Sequence, residues 1–344
     1  MTAAAPEART VPWIRIVGGV ALAAFAIYLP NMYNAETNQI FSQVLYLAIA
    51  AMGLNLLTGF NGQVSIGHGA FFGLGAFTTA ILMVDHGVMF EATILVAAVL
   101  AALLGVIVGF PALRVKGSYL ALITLGLAVL FPIVTKKYVK GPGGVPFLQP
   151  KRSEFGSLID GVPDDIYRYY VCLVLLVVLY AVAASLVHSR AGRSMIAVRD
   201  QEVAASTVGV NVAGVKVTTF AISAAYAGIA GSLSVMIDGG ADASNSLLYF
   251  QKSIEFLIAV VIGGAATIAG PFLGAVLLTV IRRRTSETEA LAPALLGAAL
   301  IAVVFLLPDG LMGGIRRLSA RVRAGRAPAP SADPEPSATT PSPT

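Results

Sequence analysis

The chain has 344 residues, of which 57% are hydrophobic and only 12% are charged, and its formal net charge at pH 7 is +5. Soluble domains carry about 25% charged residues, so this composition excludes a water-soluble globular protein and indicates an all-α, polytopic membrane protein. The basic residues are spread over predicted loops without interleaved aromatic residues, which argues against a nucleic-acid partner.

Apolar runs along the chain predict about ten transmembrane helices in a lipid bilayer. Their approximate bounds are 13–30, 40–58, 66–84, 92–110, 118–134, 168–188, 216–237, 253–269, 271–282 and 290–307. Residues 1–12 are expected to form an N-terminal cytoplasmic segment, and residues 13–315 a single transmembrane domain. Residues 316–344 contain no apolar run and end in a Pro-, Ser- and Ala-rich stretch, so we expect a disordered cytoplasmic tail.

The distribution of lysine and arginine between the loops predicts a cytoplasmic N-terminus in the cell (inner) membrane, because cytoplasmic loops carry the excess of these residues. The arginines at 282–284 would lie outside in a ten-helix chain. One continuous helix over 253–282 would place them inside, but it would reduce the count to nine and move the C-terminus outside. We expect ten helices, because Gly270-Pro271 interrupts the run and proline clashes with the preceding helical turn.

Two smaller patterns concern helix packing. Glycines recur four residues apart within predicted spans, as at Gly270 and Gly274. This spacing predicts close backbone approach, since lipid is as apolar as the helices and packing must hold them together. Lys252 and Glu255 are predicted to form an i, i+3 ion pair near the outer end of a span.

The stretch GLNLLTGFNGQVSIGHGAFFGLGAF, residues 53–77, places glycines and polar residues inside an apolar region. Turn formers occupy residues 59–62, and Ser65 is expected to cap a helix that begins near Ile66. Broken helices in transporters direct such helix starts at the substrate, so one interpretation is a substrate path. The alternative is that residues 59–66 form a cytoplasmic turn after a complete span and that the polar side chains pack between helices. The substrate-path candidates are Asn55, Gln63, Ser65 and His68.

The loop at residues 188–216 is too long for a tight turn and contains a predicted short helix. Asp200 is expected to be its N-cap and Gly209 its C′ residue, with QEVAASTV between them. Valine and alanine fall along one side of this helix, which suits docking into a groove of another protein. The alternative is a helix that lies on lipid headgroups.

The same loop resembles the coupling segment of ABC importer permeases, in the version found in the branched-chain amino acid permeases. The matching residues are Gly192, Arg193, Ala197, Arg199, Glu202, Ala204, Ala205 and Gly209. A second block of that family is similar to Leu57, Gly59, Gly62, Gln63, Ser65, Gly67, His68, Ala70, Phe71, Gly75 and Ala76. A third is similar to Glu255, Gly263, Gly264, Gly270, Pro271 and Gly274. The overall pattern is closest to the LivM-type subunit.

This resemblance implies an all-helical transmembrane subunit that moves small amino acids by alternating access. Its expected partners are a second related permease subunit, two ABC ATPase subunits and an external solute-binding protein. ATP would be used by the ATPases, since the chain has no P-loop, and the chain itself is expected to bind no cofactor and no metal and to catalyse no reaction. The expected ATPase-coupling residues are Arg193, Arg199, Asp200, Glu202 and Gly209.

Two alternatives to an amino-acid importer remain open at the level of sequence. One is an ABC permease for sugars, nucleosides or urea and related amides. The other is an ion-coupled secondary transporter, which would be expected to carry intramembrane carboxylates; the central parts of the predicted spans have none.

Overall fold

The computed structural model describes residues 24–112, 119–139, 147–151, 155, 161–245, 247–285, 297–298, 301, 305, 310–314 and 317. Within these ranges the chain is almost entirely helical. A 3₁₀ turn at Leu29–Met32 is followed by ten helices, which we number α1 to α10. They are α1 (Ala35–Asn55), α2 (His68–His86), α3 (Phe90–Ala112), α4 (Tyr119–Tyr138), α5 (Asp164–His188), α6 (Arg190–Asp200), α7 (Glu202–Thr207), α8 (Val212–Asp238), α9 (Leu248–Gly263) and α10 (Gly270–Thr285).

Six of these helices are long and apolar enough to cross a membrane: α1 with the π-helical turn that continues it to Phe60, then α2, α3, α4, α5 and α8. All six coincide with predicted spans. The predicted spans 13–30 and 290–307 and the terminal segments 1–12 and 316–344 lie wholly or mostly outside the described residues. The count of ten spans and the disordered tail therefore stay predictions.

The long helices divide into a central group and a peripheral group. In the apolar windows of α1, α2 and α8, 72–78% of the residues are buried, whereas the values for α3, α4 and α5 are 33%, 28% and 22%. The peripheral helices present large side chains such as Leu95, Ile107 and Val174 outward. This distribution suits a bundle whose outer helices face hydrocarbon, because lipid solvates apolar side chains well.

The central helices pack closely where glycines face a neighbouring backbone. Gly231 of α8 lies against the carbonyl oxygen of Phe72 in α2, and a Cβ at this position would overlap that oxygen. The hydroxyls of Thr79 and Ser232 meet at 2.6 Å further along the same contact. His68, at the start of α2, contacts Ser223, and Thr79 further along contacts Ser232, so α2 runs parallel to α8, away from the end of the bundle that carries α6 and α7.

Helices α9 and α10 form an antiparallel hairpin whose tip comprises residues 264–269. A single continuous helix over 253–282 is therefore wrong, and the predicted break before α10 is confirmed. Gly274 packs against the carbonyl oxygen of Ala259, as its spacing predicts. At the other end of the hairpin Lys252 and Glu255 form the predicted pair at 3.3 Å, and Arg282 also binds Glu255.

The described strands are two residues each. Phe147–Leu148 (β1) pairs antiparallel with Ala241–Asp242 (β2), in the register Phe147 to Asp242 and Leu148 to Ala241. This short ladder joins the connection before α5 to the connection after α8, and it is a small departure from the expected purely helical bundle.

Candidate functional site

The connection between α5 and α8 contains two helices, whereas the sequence predicted one. Ser189 caps α6, since its Oγ accepts hydrogen bonds from the backbone N–H groups of Ala191 at 3.1 Å and Gly192 at 3.4 Å. Helix α6 then buries Met195 and Val198 against the bundle. Two signals in the sequence could have revealed this helix. Ser189 is a typical N-cap residue, and Met195 and Val198 have the i, i+3 spacing of one helix face.

The predicted N-cap of the second helix is wrong. Asp200 is the last residue of α6, and α7 begins at Glu202 after Gln201, whose backbone is extended. The Asp200 carboxylate instead accepts a hydrogen bond from the Nε of Arg199 at 2.8 Å. The residue at the N-cap position of α7 is Gln201, and no side-chain cap is present on this helix.

The predicted C-terminus of α7 is confirmed. Gly209 has φ +86°, in the left-handed region that glycine adopts without strain. The N–H of Gly209 donates to the carbonyl of Ser206 at 3.1 Å, and the N–H of Val210 donates to that of Ala205 at 3.0 Å. This pair of bonds is the Schellman motif, which closes the helix and fixes the direction of the chain toward α8.

Helix α7 exposes an apolar face. Val203 and Val208 are 74% and 79% exposed, while Ala205 is buried against the bundle. The helix is also held by an ion pair of 2.7 Å between Glu202 and Lys216 in the first turn of α8. Two large exposed valines on a helix fixed at both ends form a protruding apolar surface, which we call the α7 face.

The remaining predicted coupling residues differ in whether their side chains point to solvent or contact the rest of the chain. Arg193 is exposed on α6. Arg199 and Glu202 turn toward the chain itself: the Nη1 of Arg199 donates to the carbonyl of Gly59 at 3.0 Å, and Glu202 binds Lys216. Arg199 and Glu202 therefore join α6 and α7 to the transmembrane part of the chain, whereas Arg193 is exposed.

The glycine-rich segment starts beside α6 and ends deeper in the bundle. Helix α2 begins at His68, after Gly67, so the predicted cap by Ser65 near Ile66 is wrong; the Ser65 hydroxyl instead accepts the N–H of Gly67 at 3.4 Å. Gln63 donates to the carbonyl of Lys216 in α8 at 3.2 Å.

The position of residues 61–67 along the length of the bundle follows from contacts with α8. His68 meets the Ser223 hydroxyl at 2.9 Å, seven residues beyond the carbonyl that binds Gln63. At a rise of about 1.5 Å per residue, the chain climbs about 10 Å between these contacts. Helix α2 therefore begins alongside the interior of α8, and residues 61–67 join the α6 end of the bundle to that point. The two interpretations of the segment, a substrate path and a cytoplasmic turn, both stay predictions.

All four substrate-path candidates are buried within the subunit. Asn55 binds the hairpin tip through both amide atoms, donating to the carbonyl of Thr267 at 2.8 Å and accepting from the N–H of Ala266 at 2.9 Å. Ser223 donates its hydroxyl proton to the carbonyl of Gly53 at 2.5 Å, so the Nε2 of His68 must be the donor to Ser223.

Two polar groups of the segment are buried without a hydrogen-bond partner in the described part of the chain: the Nδ1 of His68 and the side-chain amide of Asn61. An unpaired buried polar group costs about 1–3 kcal/mol, so such groups are uncommon without a functional reason. The sequence identifies Asn61 as a turn former, and no pattern in the sequence indicates that its side chain is buried. Among the described residues, no group of three His, Cys, Asp or Glu is arranged to hold a metal ion.

Residues 37–307 match the family model described as "Branched-chain amino acid transport system / permease component". The permease protein LivM of the high-affinity branched-chain amino acid transport system of Escherichia coli K12 is 31% identical, over 85% of this chain and 74% of the relative. LivH of the same system is 26% identical over 84% of this chain and 96% of its own length.

A probable ABC transporter permease, y4mJ of Sinorhizobium fredii, is 30% identical over 69% of both chains. No solved structure matches the chain. Three features agree: the family match over most of the chain, the polytopic helical bundle and the helix pair between α5 and α8. The chain therefore belongs to the branched-chain amino acid transport permease family, as a multi-pass inner-membrane permease subunit, LivM-type, of an ABC importer.

Proposed function

We propose that this subunit moves branched-chain or other small amino acids into the cell by alternating access, and that partner ATPases supply the energy. Its N-terminus and the α6–α7 pair lie in the cytoplasm. A second related permease subunit completes the transmembrane path, two ABC ATPase subunits bind ATP, and an external solute-binding protein delivers the amino acid. The chain binds no cofactor of its own.

The observation that carries this proposal is the α7 face. Val203 and Val208 are exposed on a helix that the Glu202–Lys216 ion pair and the Gly209 turn hold in place. An apolar surface presented by a rigid short helix supports docking into a groove of a soluble partner. The names of the relatives support an amino acid as the transported solute.

The proposal is tested by reconstituting the chain in liposomes with a second permease subunit, the two ATPases and the solute-binding protein of its own transport system. We expect uptake of labelled leucine that requires ATP and persists when ionophores remove the ion gradients. Uptake that ionophores abolish and that needs no ATP would identify an ion-coupled transporter instead. Uptake of glucose, uridine or urea in place of leucine would show that the transported solute is not an amino acid.

Replacing Ser65 and His68 together by alanine should lower the uptake rate about tenfold while the complex still assembles. The reason is position: His68 begins α2 alongside the interior of α8, and its Nδ1 has no partner within the described residues. A hydrogen bond that positions substrate or the moving helix contributes about 1.5 kcal/mol, which corresponds to roughly this change in rate.

The measurement for this double variant is initial uptake with saturating binding protein, together with the yield of the purified complex. Ser185→Ala is the control, since Ser185 is exposed on α5 and its hydroxyl bonds only its own helix at Val182. Uptake at the wild-type rate in the double variant would show that both side chains serve packing alone.

Replacing Gly209 by valine should reduce the amount of solute moved for each ATP hydrolysed. A β-branched residue at φ +86° costs about 1–3 kcal/mol, so the turn from α7 to α8 is expected to rearrange. Coupling is measured as the ratio of leucine uptake to phosphate release. Gly87→Val is the matched control, because Gly87 also has a positive φ and open surroundings but lies after α2, at the opposite end of the bundle. An unchanged ratio in Gly209→Val would argue against the turn as a coupling element.

A further inference from the structure

We propose that Arg199 is a positioning residue that joins the cytoplasmic helix α6 to the tip of the α9–α10 hairpin, through the π-helical turn at Leu56–Phe60. The inference rests on the proposed function, because it presupposes that ATPases move α6 and α7. Such a movement would pass along the chain to α5 and α8, the two helices that flank the pair. The contacts of Arg199 add a route to α1 and to the hairpin.

The first contact joins α6 to the end of α1. Arg199 lies at the C-terminal end of α6, and its Nη1 donates at 3.0 Å to the carbonyl of Gly59, 140 residues earlier in the chain. Carbonyls in the last turn of a helix lack a helical donor, so a guanidinium is a suitable partner. Asp200 holds the same guanidinium at 2.8 Å through both Nε and Nη2, which fixes its orientation.

The second contact joins the stem of Arg199 to the start of the segment that leads to α2. Gly62 has φ +74°, and a Cβ at this position would lie 2.7 Å from the Cγ of Arg199. The aliphatic stem therefore packs directly on the backbone of residues 61–67. A displacement of Arg199 acts on this segment from its first residues, and the segment ends at His68.

The third contact joins the same turn of α1 to the hairpin tip. A Cβ on Gly59 would overlap both the Oδ1 of Asn55 and the backbone nitrogen of Ala266. Ala266 has φ +58°, which is unusual for a residue other than glycine. Asn55 accepts a hydrogen bond from the N–H of Ala266 and donates one to the carbonyl of the next residue, Thr267. The π-helical turn is thus clamped between Arg199 on one side and the hairpin tip on the other.

The π-helical turn at Leu56–Phe60 is a suitable place for a conformational change. A π-helical turn has a wider ring of hydrogen bonds than an α-helix, occurs mostly as a single turn and is frequent at functional sites. Because Gly59 has no side chain, its backbone transmits a push or pull from Arg199 directly to Ala266. The Glu202–Lys216 ion pair gives α7 a separate link to α8, so loss of Arg199 does not detach the helix pair from the bundle.

The functional test replaces Arg199 by glutamine in the reconstituted transporter. Glutamine is too short to bind Gly59 and Asp200 together and carries no charge. We expect leucine uptake for each ATP hydrolysed to fall about tenfold. Arg190→Gln is the matched control, since it removes the same charge from an exposed position on the same helix, and it should keep the wild-type ratio. An unchanged ratio in Arg199→Gln overturns the inference.

The structural test measures movement rather than activity. Spin labels are placed in pairs after Cys172, the single native cysteine, is replaced by alanine. One pair, at exposed Ala265 and exposed Met89, reports on the hairpin tip; the other, at exposed Ala191 and Met89, reports on α6. Distances are compared between the nucleotide-free complex and the complex trapped with ATP.

In the otherwise wild-type chain, we expect both distances to change on trapping. In Arg199→Gln, the α6 distance should still change while the hairpin distance stays near its nucleotide-free value. A hairpin distance that still changes in this variant overturns the route through Arg199 but leaves the proposed function intact. Failure of the ATPases to bind the unaltered chain overturns the proposed function, and the inference with it.

Discussion

Replacing Gly231 by leucine should nearly abolish folded protein. This glycine lies in α8 against the carbonyl oxygen of Phe72, and even a Cβ would overlap that oxygen. The neighbour is backbone, so a side chain can be accommodated only if α2 and α8 separate. Overpacking that moves whole helices is expected to cost about 3 kcal/mol or more, which is over a hundredfold in the folded-to-unfolded ratio.

The measurement is the monodisperse fraction of detergent-purified protein and its thermal stability. Gly126→Leu is the matched control: Gly126 is in α4, is exposed, and has no atom of the described residues within 4 Å of a Cβ. Leucine there should leave the yield near the wild-type value. If both variants gave the same folded yield, the close approach of α2 and α8 would not be a main source of stability.

Replacing Val203 and Val208 together by aspartate should prevent the ATPases from binding. Both valines are largely exposed on the α7 face, so the change leaves the buried side of the helix, at Ala205, intact. Docking would bring two carboxylates into an apolar groove, and an unpaired charge loses several kcal/mol of solvation there. A loss of about 3 kcal/mol already lowers the affinity more than a hundredfold.

The affinity is measured with purified ATPase and the permease in nanodiscs. Met89→Asp is the control, since it introduces one such carboxylate at an exposed position before α3, at the opposite end of the bundle. The pair Val203→Leu and Val208→Leu should bind normally, because it keeps the face apolar. Normal ATPase binding by the double aspartate variant would mean that the docking surface lies elsewhere.

Much of this architecture follows from signals that act over a few residues. Apolar runs located all six long helices. Inside hydrocarbon every backbone N–H and C=O group needs a hydrogen-bond partner within the protein, and a single spanning segment provides these partners only as a helix. Gly270-Pro271 marked the break before α10, because proline cannot continue the preceding turn. Gly209 marked the end of α7, because the Schellman turn needs a left-handed residue.

Local signals failed where two neighbouring structures competed for the same residue. Asp200 is a residue type typical of N-caps but ends α6, because its backbone is still helical and the extended residue before α7 is Gln201. Ser65 likewise precedes α2 without capping it, since α2 begins only at His68 and the Ser65 hydroxyl accepts the N–H of Gly67. A capping residue starts a helix only where its own backbone is non-helical and the residues directly after it are helical.

The sequence by itself determined the class of the protein and the family to which it belongs, and it singled out the segment between α5 and α8 as the predicted docking site. Tertiary structure alone decided that Arg199 turns inward to Gly59, that Asn55 holds the hairpin tip and that His68 begins α2 beside Ser223. Hydropathy and caps are properties of consecutive residues, whereas these contacts join residues more than a hundred positions apart. Which residues meet in such a contact depends on how whole helices pack against one another. The residues that are adjacent in sequence therefore do not predict it.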